Sequence, residues 1–208
     1  VSALPTILLV PGLRDHVAQH WQTLLEPQLD RVRTVPPMGR SDLDCAARLA
    51  AIEAAAQAIE GPIVIVAHSG GCIMVAHWAR QTKRAVHAAL LATPPDFETP
   101  MPEGYPTLDA LDMAGWLPVP RATLPFRSVV AASRNDPLGT FERVSELARD
   151  WGSELADLGE VGHLNPAVVA AVGRALETGT LFVTPSPSAT VYSMSPFTLR
   201  RTVAEQVS

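Results

Sequence analysis

Cysteine is nearly absent: Cys45 and Cys72 are the two in 208 residues, too few for a disulfide framework or a cysteine-built metal cluster. Two isolated thiols are what an intracellular chain ordinarily carries, and both read as packing residues. Long apolar runs are missing as well. The longest are strand-sized and broken by polar residues, which excludes a membrane-spanning helix. Excess positive charge is also lacking, since the formal net charge is −5 and the pI about 5.6. Such a balance provides no broad basic surface for nucleic acid. The six histidines contain no H-E-x-x-H pair or comparable ligand spacing, so no metal and no cofactor is expected. No basic leader precedes a signal-like apolar stretch, and no internal repeat is visible, so a cytoplasmic location is the expectation.

What the chain does contain is apolar mass: 47% of its residues are hydrophobic, enough to build one substantial core at this length. That mass comes as short β-branched runs alternating with helical patterns. Strands are expected near 6–10, 31–35, 62–67, 86–92, 127–132 and 154–158, and the clearest helix over Ser41–Ile59. Alternation of this kind predicts an α/β fold with a mostly parallel sheet and helices on both faces, because parallel neighbours require long crossovers. One domain is expected over 1–179. From Thr180 onward Pro185, Pro187 and Pro196 interrupt the pattern, and a flexible tail over 180–208 with a short helix at 199–206 is expected.

The most informative stretch is Ile63-Val64-Ile65-Val66-Ala67-His68-Ser69-Gly70-Gly71. A serine between small residues, where a buried strand breaks into a helix, suits a sharp turn that lifts the hydroxyl clear of the sheet. Ala67 and Gly71 occupy the two small positions of G-x-S-x-G, with alanine in place of the first glycine. The competing explanation is a serine that only caps the helix carrying Ile73, Met74 and Val75. A nucleophilic serine needs a base and an orienting carboxylate. Asp136 follows the apolar run 128–132, and His163 follows a short strand candidate at 155–158, so both are expected at the carboxyl edge of the sheet. Alone, Asp136 before Pro137 is an ordinary turn residue and His163 an ordinary loop residue. Asp96, Asp109, Asp112 and Glu160 compete for the carboxylate role. His68 is expected to face the other side of the elbow, and His77 to pack or lie at the surface.

Strand 6–10 ends abruptly at Pro11-Gly12, which makes the Leu13 amide a candidate oxyanion donor beside that of Gly70. Arg14, Asp15, His16, His20 and Trp21 fall near the same opening, and Trp21 either shapes a pocket or packs. The proline-rich connection from Thr93 to Pro125 carries Phe97, Met101, Tyr105, Met113, Trp116 and Leu117. It either lines an acyl site or covers one edge of the sheet, and Trp21, Phe97, Trp116 and Leu117 are the pocket candidates.

Val10-Pro11-Gly12, His20-Trp21-Gln22, Ala67-His68-Ser69-Gly70-Gly71-Cys72, Leu124-Pro125-Phe126, Ser133-Arg134-Asn135-Asp136-Pro137, Trp151-Gly152 and Gly162-His163-Leu164-Asn165 together resemble the YdeN-type, retinoblastoma-binding-protein-nine-like small serine hydrolases of the α/β-hydrolase superfamily. The resemblance implies a Ser69-Asp136-His163 triad, a compact six-stranded sheet of order 2-1-3-4-5-6, and esterase-like chemistry on a small acyl substrate. Gly70 departs from the leucine or serine common after the nucleophile in that family. The expected function is therefore a serine hydrolase working through an acyl-enzyme. The alternative is a non-catalytic protein-binding module on the same fold, whose partner the sequence does not identify.

Overall fold

The computed structural model describes residues 4–14, 17–39 and 42–164, and the backbone of 194–195 and 198–199. Its organising element is β3 (Ile63–His68), buried along its whole length. Beside it lie β1 (Thr6–Val10) and β4 (Ala88–Ala92); β2 (Val32–Thr34) extends one side, β5 (Arg127–Ala132) and β6 (Glu154–Asp157) the other. The order is β2-β1-β3-β4-β5-β6 with every neighbouring pair parallel, as expected. All six expected strands form, differing by a residue or two at their ends.

The four inner strands are largely apolar and buried because both faces are covered, while the edge strands β2 and β6 keep exposed polar residues such as Arg33 and Glu154. Leu8, Val10, Ile63, Ile65, Ala67, Ala89, Leu91, Val130 and Ala132 face a cluster shared with α2 (Cys45–Gln57), α3 (Gly70–Ala79) and α5 (Phe141–Asp150). Leu9, Val66, Leu90, Val129 and Ala131 face the opposite way, against Trp21 and Leu25 of α1 (Trp21–Leu25). Each such leucine, isoleucine or valine contributes about 1.5–3 kcal/mol on burial.

The helix expected from Ser41 begins later, at Cys45. Asp44 Oδ1 accepts from the Ala47 amide at 3.1 Å and caps the helix, while Asp42 Oδ1 turns back to the Asp44 amide. The Thr93–Pro125 connection contains a short helix, α4 (Leu108–Met113), and divides its apolar residues. Leu111 and Trp116 are fully buried in the core, whereas Met113 is 89% exposed. It is tied to α5 by ion pairs of Arg143 with Asp96 and Glu98 and of Arg121 with Glu98 and Asp150. The expected tail lies outside the described residues apart from two dipeptide strands, β7 (Met194–Ser195) and β8 (Thr198–Leu199), paired antiparallel. Leu199 is thus in strand, and the remainder of the helix expected at 199–206 lies outside the described residues. No helix among the described residues is long and apolar enough to cross a membrane.

Candidate active site

Ser69 sits at the corner between β3 and α3 with φ 54° and ψ −132°. A non-glycine residue held at positive φ costs about 1–3 kcal/mol, which the surroundings must offset. They do: the Ser69 amide donates to Ala92 O at 2.9 Å, and Ser69 O accepts from the Cys72 amide at 2.9 Å. The side chain, by contrast, makes no capping hydrogen bond. The capping explanation for Ser69 therefore fails.

The turn closes because Gly71 has no side chain. A Cβ there would stand 2.6 Å from both Val10 O and Pro11 O, two backbone atoms that cannot move without dragging β1. Gly71→Ala is accordingly expected to cost about 2 kcal/mol or more. Urea unfolding of that variant should show a lowered midpoint, and an unchanged midpoint would mean that β1 gives way easily. Gly70→Ala is the milder comparison, because its Cβ meets the Leu13 side chain, at 2.8 Å from Cγ. The departure from the family pattern at position 70 thus has a structural counterpart: Leu13 occupies the space that a side chain at 70 would take.

The loop after β1 lies on the elbow, with a Cβ on Gly12 falling 3.1 Å from Ser69 Cβ and 3.4 Å from Oγ. Among the described residues, neither the Leu13 nor the Gly70 amide is committed to a turn, loop or capping hydrogen bond. Gly70 stands at the start of α3, where unpaired N–H groups gather.

Asp136 and His163, 27 residues apart, meet. His163 Nδ1 lies 2.8 Å from Asp136 Oδ2 and 3.0 Å from Oδ1. A carboxylate only accepts, so Nδ1 carries a proton, and in the neutral imidazole this leaves Nε2 as the acceptor. The Asp136 side chain is 2% exposed, and its Oδ1 also accepts from the Leu138 amide at 2.9 Å. The strand ends hold the two loops together through residues whose role the sequence did not reveal. Asn135 Oδ1 accepts from the Gly162 amide at 2.6 Å, and Ser133 Oγ accepts from the Val161 amide at 3.2 Å. Ser69 and His163 line one cavity without a direct hydrogen bond between them among the described residues. Of the competing carboxylates, Asp96 is turned to Arg143 Nε at 2.9 Å, while Asp109 and Asp112 lie on α4. The Arg143 guanidinium and neighbouring donors hold the Asp96 carboxyl below its ordinary value despite burial.

His68 is placed differently from expectation. As strand alternation requires, it lies on the α1 face, but the His163 loop returns over that same face, with Val161 and Leu164 packed against the α1 cluster. The His68 ring consequently lines the cavity with Ser69, 4.8 Å from the His163 ring, edge-on to Trp21, with Nδ1 3.0 Å from His20 Nε2. His20 Nδ1 accepts from the Gln22 amide at 3.3 Å and so caps α1. Although three histidine rings adjoin, no group of three His, Cys, Asp or Glu among the described residues is placed to hold a metal ion.

Burial, reinforced by His163, His20 and Arg14 nearby, pushes the His68 pKa well below its ordinary value. The folded protein refuses a proton that the unfolded chain accepts near pH 6.5, so stability is complete above that pH and falls as pH drops below it. The slope from this one site approaches about 1.4 kcal/mol per pH unit. His77, lowered by burial beneath Trp116 O, adds the same sign. Urea unfolding at pH 7.5 and 5.5 should show the loss, and His68→Asn should flatten it; an unflattened slope would assign it elsewhere.

The pocket candidates separate. Two cavities open on Ser69. The first, of about 300 Å³, includes Val17, His20, Gln22, His68 and His163. The second, of about 270 Å³, includes Gly70, Pro95, Phe97, Met101 and Leu138. Arg14 and Tyr105 border both, the guanidinium lying 5.1 Å from the Tyr105 ring centroid and bonded to its hydroxyl. Phe97 therefore lines a cavity that opens on Ser69. Trp21, Trp116 and Leu117 line neither cavity. Trp21 is 1% exposed against the sheet, and Trp116 is 0% exposed with Nε1 donating to Leu43 O at 2.8 Å. Leu117 packs on the same core as Trp116. Trp116 supports the second cavity from behind, meeting Phe97 edge-on at 5.7 Å and holding the backbone of Leu43. Both cysteines are buried; burial raises the Cys45 thiol to about 11 and Cys72 well above its ordinary value, which keeps them unreactive.

A sequence model of a family described as serine hydrolase matches residues 7–173. Among solved structures, a YdeN-like hydrolase from Pectobacterium atrosepticum is 26% identical, the match covering 86% of this chain and 92% of that one at a TM-score of 0.68. Est1E from Butyrivibrio proteoclasticus, solved with ferulic acid bound, is 14% identical over 85% of this chain and 88% of its own, at a TM-score of 0.66. The esterase domain of a Rhodothermus marinus protein is 17% identical over 86% and 88%, at 0.63. Comparison with curated proteins found no match.

Proposed function

The chain belongs to the serine hydrolase family, and from that premise we propose that it is a carboxylesterase working through a Ser69-His163-Asp136 triad and an acyl-enzyme. The observation that carries this reading is the buried Asp136 carboxylate on His163 Nδ1, beside a serine that is strained yet uncapped. Strain at a side chain that contributes no structural bond is what a positioned nucleophile requires.

Ser69 Oγ attacks the carbonyl carbon while its proton passes to His163 Nε2. The negative charge that develops on the carbonyl oxygen is met by the Leu13 and Gly70 amides. The C–O bond then breaks, its electron pair leaving with the alcohol oxygen, which takes the proton back from His163. Water repeats the sequence on the acyl-serine, giving the carboxylic acid and restoring Ser69. Asp136 keeps His163 in the tautomer that accepts at Nε2. The distance between Ser69 and His163 in the free enzyme closes when substrate fills the cleft.

Labelling with a fluorophosphonate followed by peptide mapping tests the reading. The label is expected on Ser69 and absent from Ser69→Ala. A folded protein that takes no label and hydrolyses no ester would favour the binding-module alternative.

A further inference from the structure

The two cavities that meet at Ser69 are chemically unlike, and the geometry of acyl transfer distinguishes them. At the tetrahedral carbon, the leaving oxygen must be reached by the group that returns the proton, and the oxyanion by the amide donors. His163 borders the first cavity and is not part of the second, whereas Gly70 borders the second and is not part of the first, and Leu13 borders both. The alcohol therefore departs on the His163 side, and the acyl substituent points the other way. Resting on the esterase reading above, we infer that the cavity beneath Phe97, Met101 and Leu138 holds the acyl chain, that the cavity beside His20 and Val17 holds the leaving alcohol, and that the substrates are esters of apolar acids.

The lining supports the acyl assignment. Arg14, Ser69 and Tyr105 are the polar side chains around the second cavity, and the remaining side chains, Leu13, Leu43, Pro95, Phe97, Met101, Pro106 and Leu138, are all apolar. Its floor is firm, because Phe97 is 2% exposed and braced edge-on by Trp116. At about 30 Å³ per small group, its 270 Å³ admits a chain on the order of eight non-hydrogen atoms. The first cavity sets His20, Thr23, Glu26 and His163 beside apolar Leu9, Pro11, Val17 and Leu164, which suits an alcohol with an apolar part and the water that follows it. Arg14, stacked on Tyr105, closes the bridge between the loop after β1 and the Thr93–Pro125 connection and so separates the two halves of the ester.

Two ester series test the assignment: p-nitrophenyl acetate, butanoate, octanoate and dodecanoate for the acyl side, and methyl, butyl and octyl acetate for the alcohol side. Met101→Trp is expected to lower kcat/KM for octanoate about tenfold relative to acetate, with the alkyl acetate profile moving less than about twofold. Val17→Trp, at a 44% exposed rim position of the first cavity, is expected to do the reverse. Leu43→Trp on another wall of the acyl cavity repeats the first result should Met101→Trp fold poorly. Acyl-side variants that change the alkyl acetate series instead, or change neither, overturn the assignment while Ser69 labelling by fluorophosphonate leaves the hydrolase reading standing. Loss of all ester turnover and of labelling in the unmodified protein overturns both.

Discussion

Ser69→Ala is expected to lower kcat for ester hydrolysis by about 10⁶ while leaving the fold intact. The fold survives because the hydroxyl makes no capping bond and alanine keeps the Cβ that packs near Gly12. Both residues bear the same penalty at φ 54°, so unfolding midpoints of the parent and Ser69→Ala should agree closely. Ser69→Gly removes that penalty and is expected to be more stable than the alanine variant by about 1 kcal/mol, although equally inactive. Paired urea unfolding and steady-state turnover check both statements. Retained turnover in Ser69→Ala would reject the mechanism, and equal stability of the glycine and alanine variants would show that the corner stores no strain.

Asp136→Asn is expected to lower kcat by about 10⁴, with little effect on stability. The physical reason lies in how the side chain is held. Leu138 donates to Oδ1 at 2.9 Å, so an asparagine keeps its carbonyl oxygen there and turns its amide group toward His163 Nδ1. An N–H group in the position of Oδ2, 2.8 Å from Nδ1, forces the imidazole proton onto Nε2. In that tautomer His163 cannot take the proton from Ser69. Fluorophosphonate labelling should slow in parallel with turnover, since both require the same proton transfer. Full activity in this variant would mean that another carboxylate orients His163. Asp96 is unsuited to that task because Arg143 already engages it.

Much of the architecture was legible in the chain because buried parallel strands announce themselves as short continuous apolar runs. The site was legible in part for a related reason: Ser69, Asp136 and His163 each follow such a run, and strand ends in a parallel sheet share an edge. Strand order came from the resemblance and not from spacing, and α2 starts later than expected because Ser41 and Asp42 look as suitable for capping as Asp44, whose Oδ1 takes the Ala47 amide.

The sequence by itself determined the alternating α/β plan and the strand-to-helix corner at Ser69, and it named Ser69, Asp136 and His163 as the residues of the proposed triad, since these depend on local periodicity and residue chemistry. Only the tertiary structure decided which aromatics line a cavity and which face the core. Phe97 and Trp116 lie in the same connection, yet one lines a cavity and the other braces it from the core. It also decided that His68 shares a cavity with His163, because that depends on which face the returning loop crosses. No pattern within a single strand or helix records that choice; it is set by packing between segments far apart in the chain.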